Sequence, residues 1–157
     1  MLNIRRARQE DCETIMSVHV AAVTGIHTDL YTPEEIQSWA APKKPESYKE
    51  SINNKEFFVA DDNGVLLGFG VLNRDSAEVE AVYVSPSAGR RGIGLELLRQ
   101  LEKSATALGL HVLRLNASLN AVPFYEKAGY VAQEKSTYRL STGVEIACVP
   151  MFKMLTV

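Results

Sequence analysis

Residues 82–105 read VYVSPSAGRRGIGLELLRQLEKSA. The stretch opens on an apolar run, Val82, Tyr83 and Val84, turns at Ser85-Pro86, and then carries Gly89, Arg90, Arg91, Gly92, Ile93 and Gly94. Beyond the loop, Gly94, Leu97, Leu98, Leu101, Ala105 and Leu108 recur at helical spacing, and Gly109 ends the run. The local reading is strand, glycine loop, helix. Such a loop points backbone N–H groups outward, and the helix dipole adds partial positive charge at that end. Glycines let the backbone approach an anion closely. Taken alone, the loop has two readings: a diphosphate cradle, or a turn that needs glycine only for packing. A Walker loop does not fit, because Leu95 and Glu96 follow the last glycine where Lys and Ser/Thr are required. The dinucleotide fingerprint does not fit either, because the glycine spacing is reversed and the loop lies past the midpoint of the chain.

On the N-terminal side, LNIRRA alternates as a strand, and Asp11 is placed to cap a helix with Ile15, Val18 and Ala22 on one face. Thr32-Pro33-Glu34-Glu35 starts a second helix, after which Pro42 and Pro45 break the chain into short pieces. EFFVADD and VLLGFGVLN read as strands joined through Asp62-Asn63-Gly64, a hairpin signal. AEVEAVYV is the strand that enters the glycine loop. On the C-terminal side, HVLRLNA reads as a strand, AVPFYEKAG as a short helix stopped by Gly129, and residues 130–155 as a final hairpin in which Pro150 marks a bulge or an edge. The order is β-α-α-β-β-β-α-β-α-β-β. Strand–helix–strand through the middle implies a right-handed parallel crossover, and the early hairpins imply antiparallel pairing. The expectation is a mixed α/β sheet with helices packed on it, forming a single domain over residues 1–157.

Composition narrows the function classes. The chain has 157 residues, 46% hydrophobic and 23% charged, within the range of an ordinary globular protein. A formal net charge of −2 argues against broad nucleic-acid binding, which leaves a basic footprint. No apolar run is long enough to span a bilayer, and the N-terminus lacks the apolar segment of a secretory signal. Cys12 and Cys148 are isolated, and neither they nor His19, His27 and His111 show metal-ligand spacing. No metal is expected, and the cytoplasm is the expected location.

The glycine loop with its flanks resembles the acyl-CoA-binding motif of the GNAT superfamily of N-acetyltransferases, Gln/Arg-x-x-Gly-x-Gly/Ala after a strand. Gly92 and Gly94 match its small positions, and Gly89 stands where Gln or Arg is usual. SLNAVPFYEKAGY is similar to the family's second motif, through Ala121, Phe124, Tyr125, Lys127 and Gly129, with Ser118 in place of Asn. The element order also matches, so the resemblance covers essentially the whole chain. It implies a strongly twisted mixed sheet of about six to seven strands, with an antiparallel N-terminal part, a parallel splayed central pair and about four flanking helices. It further implies N-acetyl transfer from acetyl-CoA to a primary amine of a small molecule, by direct attack in a ternary complex. Acetylation of a protein or peptide amine, or acyl-CoA binding without catalysis, are the alternatives. Dimers are common in the family, which leaves a homodimer open, and nothing in the sequence locates an interface.

Site residues follow from the resemblance. Val82, Tyr83 and Val84 would hydrogen-bond the pantetheine arm through the main chain, with a bulge there aiming an N–H at the thioester carbonyl. Gly89, Arg90, Arg91, Gly92, Ile93 and Gly94 would hold the diphosphate, mainly by backbone N–H groups because Gly89 brings no side chain. The arginine side chains read equally as an exposed cationic turn. Ser118 and Asn120 would touch the pantetheine or adenine side, or Asn120 would only cap its helix.

For the chemistry, a lysine-like amine has a pKa of about 10.4, a handicap of about 4–5 kcal/mol at neutral pH. A general base is therefore useful. Glu80 is the first candidate and Glu78 the second; two residues apart on a strand, they share a face, and both also read as solvated strand residues. Tyr125 matches the tyrosine that donates to the departing thiolate, with Phe124 read as the core residue beside it. His27, Tyr31 and Trp39, with Tyr48, lie in the segment that forms the acceptor wall in the family; for Trp39 and Tyr31 packing onto the sheet is the competing reading.

Overall fold

A computed structural model describes residues 1–88 and 90–156. Gly89 therefore lies outside the described residues. The chain runs β1 (Leu2–Arg6), α1 (Cys12–Thr24), α2 (Pro33–Ala40), α3 (Pro45–Asn54), β2 (Glu56–Asp62), β3 (Val65–Asn73), β4 (Glu78–Val84), α4 (Ile93–Ala107), β5 (Val112–Ser118), α5 (Val122–Lys127), β6 (Val131–Ala132), β7 (Ser136–Arg139) and β8 (Glu145–Met154). The strands form one sheet in the order β1-β2-β3-β4-β5-β8-β6, with β7 also paired to β8. Every pairing is antiparallel except β4–β5. The mixed fold with a parallel central pair is as expected from sequence.

Local chemistry accounts for most elements. Asn63 and Gly64 both take positive φ, the requirement of a type I′ turn, and close the β2–β3 hairpin. Thr32 and Glu35 form a reciprocal cap on α2: Glu35 N–H donates to Thr32 Oγ1 at 3.1 Å and Thr32 N–H to Glu35 Oε1 at 2.8 Å. The leucine stripe of α4 buries Leu97, Leu98, Leu101 and Ala105 completely against one face of the sheet. The other face carries a second core, in which Ile15 and Val18 of α1 and Tyr48 of α3 meet Phe57, Val59 and Phe69.

Several elements differ from the sequence expectation. The stretch after Pro42 is not broken into short pieces. Pro45 occupies the first turn of α3, where its missing N–H costs nothing. Asp11 does not cap α1; its carboxylate is taken by the Arg5 guanidinium at 2.9 and 3.1 Å and by Arg8 N–H at 2.8 Å. The last hairpin has an additional short strand, β6, before β7. Pro150 makes no bulge in β8, whose register with β5 runs unbroken from Val112–Met154 to Ser118–Cys148. Gln133 N–H donates to Pro150 O, so the proline's absent N–H faces the interval between β6 and β7, where no strand needs it.

The feature that shapes the site is the β4–β5 junction. The two strands share a single register pair, Glu78 with Arg114, flanked by an Arg114 N–H to Ala77 O bond of 3.0 Å. Both strands are fully paired on their outer edges, β4 with β3 as far as Val84 and β5 with β8 along its whole length. The β3–β4 register slips so that Val71 faces Ala81 and Leu72 faces Val79, which leaves Glu80 as an extra residue on β4. That bulge sharpens the local twist just where the parallel pair parts. The sequence expectation put the bulge at Val82–Val84; it lies at Glu80, and Val82–Val84 keep regular register with β3.

Candidate active site

The loop after β4 ends on Gly92, which caps α4 with φ 72° and ψ 19°, a left-handed conformation that a side chain disfavours. No side chain caps α4, so the N–H groups of its first turn point out of the helix end. Ile93 is buried and anchors the turn. A Cβ on Gly94 would lie 3.5 Å from the Phe124 ring, so the first turn of α4 sits directly against α5. Arg90 and Arg91 are exposed, and Arg91 donates to Asp62 Oδ2 at 2.9 Å.

From this helix end the opening between β4 and β5 leads inward. Strand alternation decides which backbone groups face it. The Tyr83 carbonyl and the Ser85 N–H point to β3, the latter donating to Leu67 O at 2.8 Å. The N–H and C=O groups of Val82 and Val84 therefore face the gap, where β5 supplies no ladder partner among the described residues. Tyr83, expected beside them as a backbone donor, instead contributes its side chain. Ser118, at the end of β5, lies on the far lip of the opening. Asn120 is exposed and does not line the cavity; Ala121, not Asn120, is the capping residue of α5.

The opening enters a cavity of about 390 Å³ whose lining includes Glu78, Glu80 and Tyr125. Glu80 lies on the α3 side, where strand alternation also places Glu78. There Lys55 Nζ donates to one oxygen of Glu80 at 2.5 Å and Asn73 Nδ2 to the other at 3.1 Å. Glu78 has no side-chain partner among the described residues. Burial pushes its carboxyl above the usual range, Glu80's charge adds to the rise, and Lys55 opposes it. Tyr125 is buried, its ring edge-on to Phe124 and to Tyr130 at 5.0 and 5.8 Å. The expected division between the two α5 aromatics is reversed, since Tyr125 joins the core and Phe124 is exposed. Tyr125 still reaches the cavity, its hydroxyl has no protein partner among the described residues, and burial pushes the phenol up, so it stays protonated at neutral pH.

An aromatic wall of His19, Trp39 and Tyr83 lines the cavity on the side of α1 and α2. Trp39 Nε1–H donates to the Tyr83 hydroxyl at 2.8 Å, and His19 stacks obliquely on Tyr83 with ring centroids 5.0 Å apart. Burial pushes the Tyr83 phenol up to about 12. His19 Nδ1 lies 3.2 Å from the Tyr48 hydroxyl, and burial, then the charge of Lys43, lower its pKa. Of the expected wall residues, Trp39 lines the cavity. Tyr31 does not; it is a structural clasp, accepting from Leu119 N–H at 2.8 Å and donating to Ala147 O at 2.6 Å. His27 is exposed and outside the cavity. His19 was missed as a wall residue, although its place four residues after Ile15 on the buried face of α1 marked it as a polar group inside an apolar stripe.

The family model for an acetyltransferase (GNAT) domain matches residues 27–155. An uncharacterized N-acetyltransferase of Escherichia coli, YafP, is 29% identical over 129 residues, covering 82% of this chain and 81% of its own length. The crystal structure of a GCN5-related N-acetyltransferase from Rhodopseudomonas palustris superposes with a TM-score of 0.90 at 30% identity, covering 98% of this chain and 95% of that one. PaiA N-acetyltransferase of Thermoplasma acidophilum, solved in complex with coenzyme A, superposes with a TM-score of 0.78 at 25% identity, covering 98% and 99%. The half-open β4–β5 pair, the uncapped glycine turn of α4 and these matches together place the chain in the GNAT acetyltransferase family, as an acyltransferase enzyme.

Proposed function

We propose that the protein transfers an acetyl group from acetyl-CoA to the primary amine of a small molecule, by direct attack in a ternary complex. The observation that carries this reading is the continuous path from the α4 N-terminus, along the free edge of β4, into the cavity holding Glu78 and Tyr125. The residues present suit coenzyme A. The first turn of α4 offers N–H groups to a diphosphate, with Arg90 exposed beside it. Val82 and Val84 offer main-chain groups to a peptide-like arm, as a strand edge does to an added strand. The thiol ester of acetyl-CoA supplies an acyl group activated toward amines.

The chain's own groups supply the proton handling. An ammonium must lose its proton before attack, and Glu78 is the better placed acceptor. Its carboxylate is unpaired and raised, whereas both Glu80 oxygens are already engaged, one by Lys55 and the other by Asn73. Glu80 then acts by its charge, raising Glu78. This reverses the order expected from sequence. Tyr125, held protonated by burial, donates a hydrogen bond toward the departing sulfur; complete transfer is uphill, because a thiol pKa is about 8.5 and the phenol sits above about 10. A small acceptor is favoured over a polypeptide because Ser38 of α2 hydrogen-bonds Thr142 of the β7–β8 turn beside the acceptor side. What remains is a cavity of small-molecule size.

The reading is tested by thermal shift and thiol release. Acetyl-CoA should raise the melting temperature where ATP and NAD do not, and thiol should be released when an amine is added; absence of both effects overturns it. Glu78→Gln should lower kcat by roughly 10²-fold or more. Glu80→Gln removes a neighbouring negative charge and frees Lys55, so Glu78 should titrate lower and the acid limb of kcat/KM should move to lower pH. An unmoved limb contradicts the assignment. Tyr125→Phe should lower turnover while leaving the acetyl-CoA melting shift in place; unchanged turnover with chemistry rate-limiting removes Tyr125 from the mechanism.

A further inference from the structure

The charged groups lining the cavity are Glu78, Glu80, Lys43 and Lys55 among the described residues. Two of the four cancel, since Lys55 and Glu80 form an ion pair at 2.5 Å. His19 adds no charge at neutral pH, because burial and Lys43 both hold its pKa down. One unpaired carboxylate, Glu78, and one unpaired ammonium, Lys43, remain among the described residues. Lys43 stands just before α3 and Lys55 just after it. The helix between them is about 15 Å long at 1.5 Å per residue. Glu78 lies two residues from Glu80 on β4, and Glu80 is bonded to Lys55, so Glu78 lies toward that end, while Lys43 marks the other, its backbone N–H directed at the Tyr48 hydroxyl at 3.4 Å. Ser47 and Ser51, one turn apart on α3, line the cavity between them.

We infer that the acceptor carries an acidic group several bonds from its amine, with Lys43 binding the acid while Glu78 receives the amine. This rests on the N-acetyltransferase reading above. A polyamine is disfavoured by the same arrangement: its second ammonium would meet Lys43, and the carboxylate that could compensate, Glu80, is already committed to Lys55. Ser47 and Ser51 add hydroxyl donors that suit an anion. The shared chemistry is an oxyanion, whether carboxylate or phosphonate.

The test compares kcat/KM of the full chain for ε-aminocaproate, aminopentylphosphonate, hexylamine and hexamethylenediamine at fixed acetyl-CoA. An acidic acceptor should exceed the diamine by about tenfold, the scale of one charge-assisted hydrogen bond. Whichever of the two acids leads identifies the oxyanion. Lys43→Gln should collapse the preference, and Lys43→Glu should invert it in favour of the diamine. Lys43 is exposed, so both variants should fold, as their melting temperatures will show. Turnover of hexylamine with no preference for an acid, or a preference that survives Lys43→Glu, overturns this inference and leaves the acetyltransferase reading standing. Acetyl-CoA stabilisation without turnover of any of the four overturns small-amine transfer, and the inference with it.

Discussion

The site depends on two neighbouring strands that are held apart. β4 and β5 meet only at Glu78–Arg114, yet each is fully paired on its outer edge. The gap is therefore a braced opening in the middle of a sheet, unlike a frayed edge. Unpaired main-chain groups are costly when buried, so the free groups of Val82 and Val84 persist only because the opening admits water or a ligand. The extra residue at Glu80 starts the divergence, and the turn at Gly92 ends it by starting α4 with its N–H groups directed outward. Backbone geometry thus builds the binding path, and side chains are left for chemistry and selectivity.

Electrostatics then divides the labour between two carboxylates that a strand pattern makes look equivalent. Glu80 is closed off by Lys55 and Asn73, while Glu78 is left unpaired and is raised first by burial and then by the charge of Glu80. The same Lys55–Glu80 pair leaves the acceptor side nearly neutral and makes Lys43 conspicuous. One ion pair thereby bears on both the base and the class of acceptor.

Much of this was legible in the sequence where the signals were local. The strand–glycine–helix stretch, the Asn63-Gly64 hairpin and the helix start at Thr32-Pro33-Glu34-Glu35 each rest on residues within a few positions of one another, and each formed as read. Pro45 misled because a proline that breaks one element can begin the next. Phe124 and Tyr125 were exchanged because adjacent positions on a helix of six residues point about 100° apart, and periodicity over so short a span cannot say which faces the core. Long-range features left no local trace. The slip in register at Glu80 depends on β3, the Lys55–Glu80 bond spans 25 positions, and Tyr31 clasps backbone 116 positions away. His19 falls between these cases: its place in an apolar stripe was visible, but its company of Tyr48, Trp39 and Tyr83 was not.

Amide hydrogen exchange at Val82 and Val84, followed residue by residue with and without acetyl-CoA, tests the central claim most directly. The account predicts that both amides exchange readily in the free protein and become protected on addition of acetyl-CoA, while the Tyr83 amide, already paired to β3, changes little. Protection of Val82 and Val84 in the free protein, or stabilisation by acetyl-CoA with no change at either amide, would contradict it.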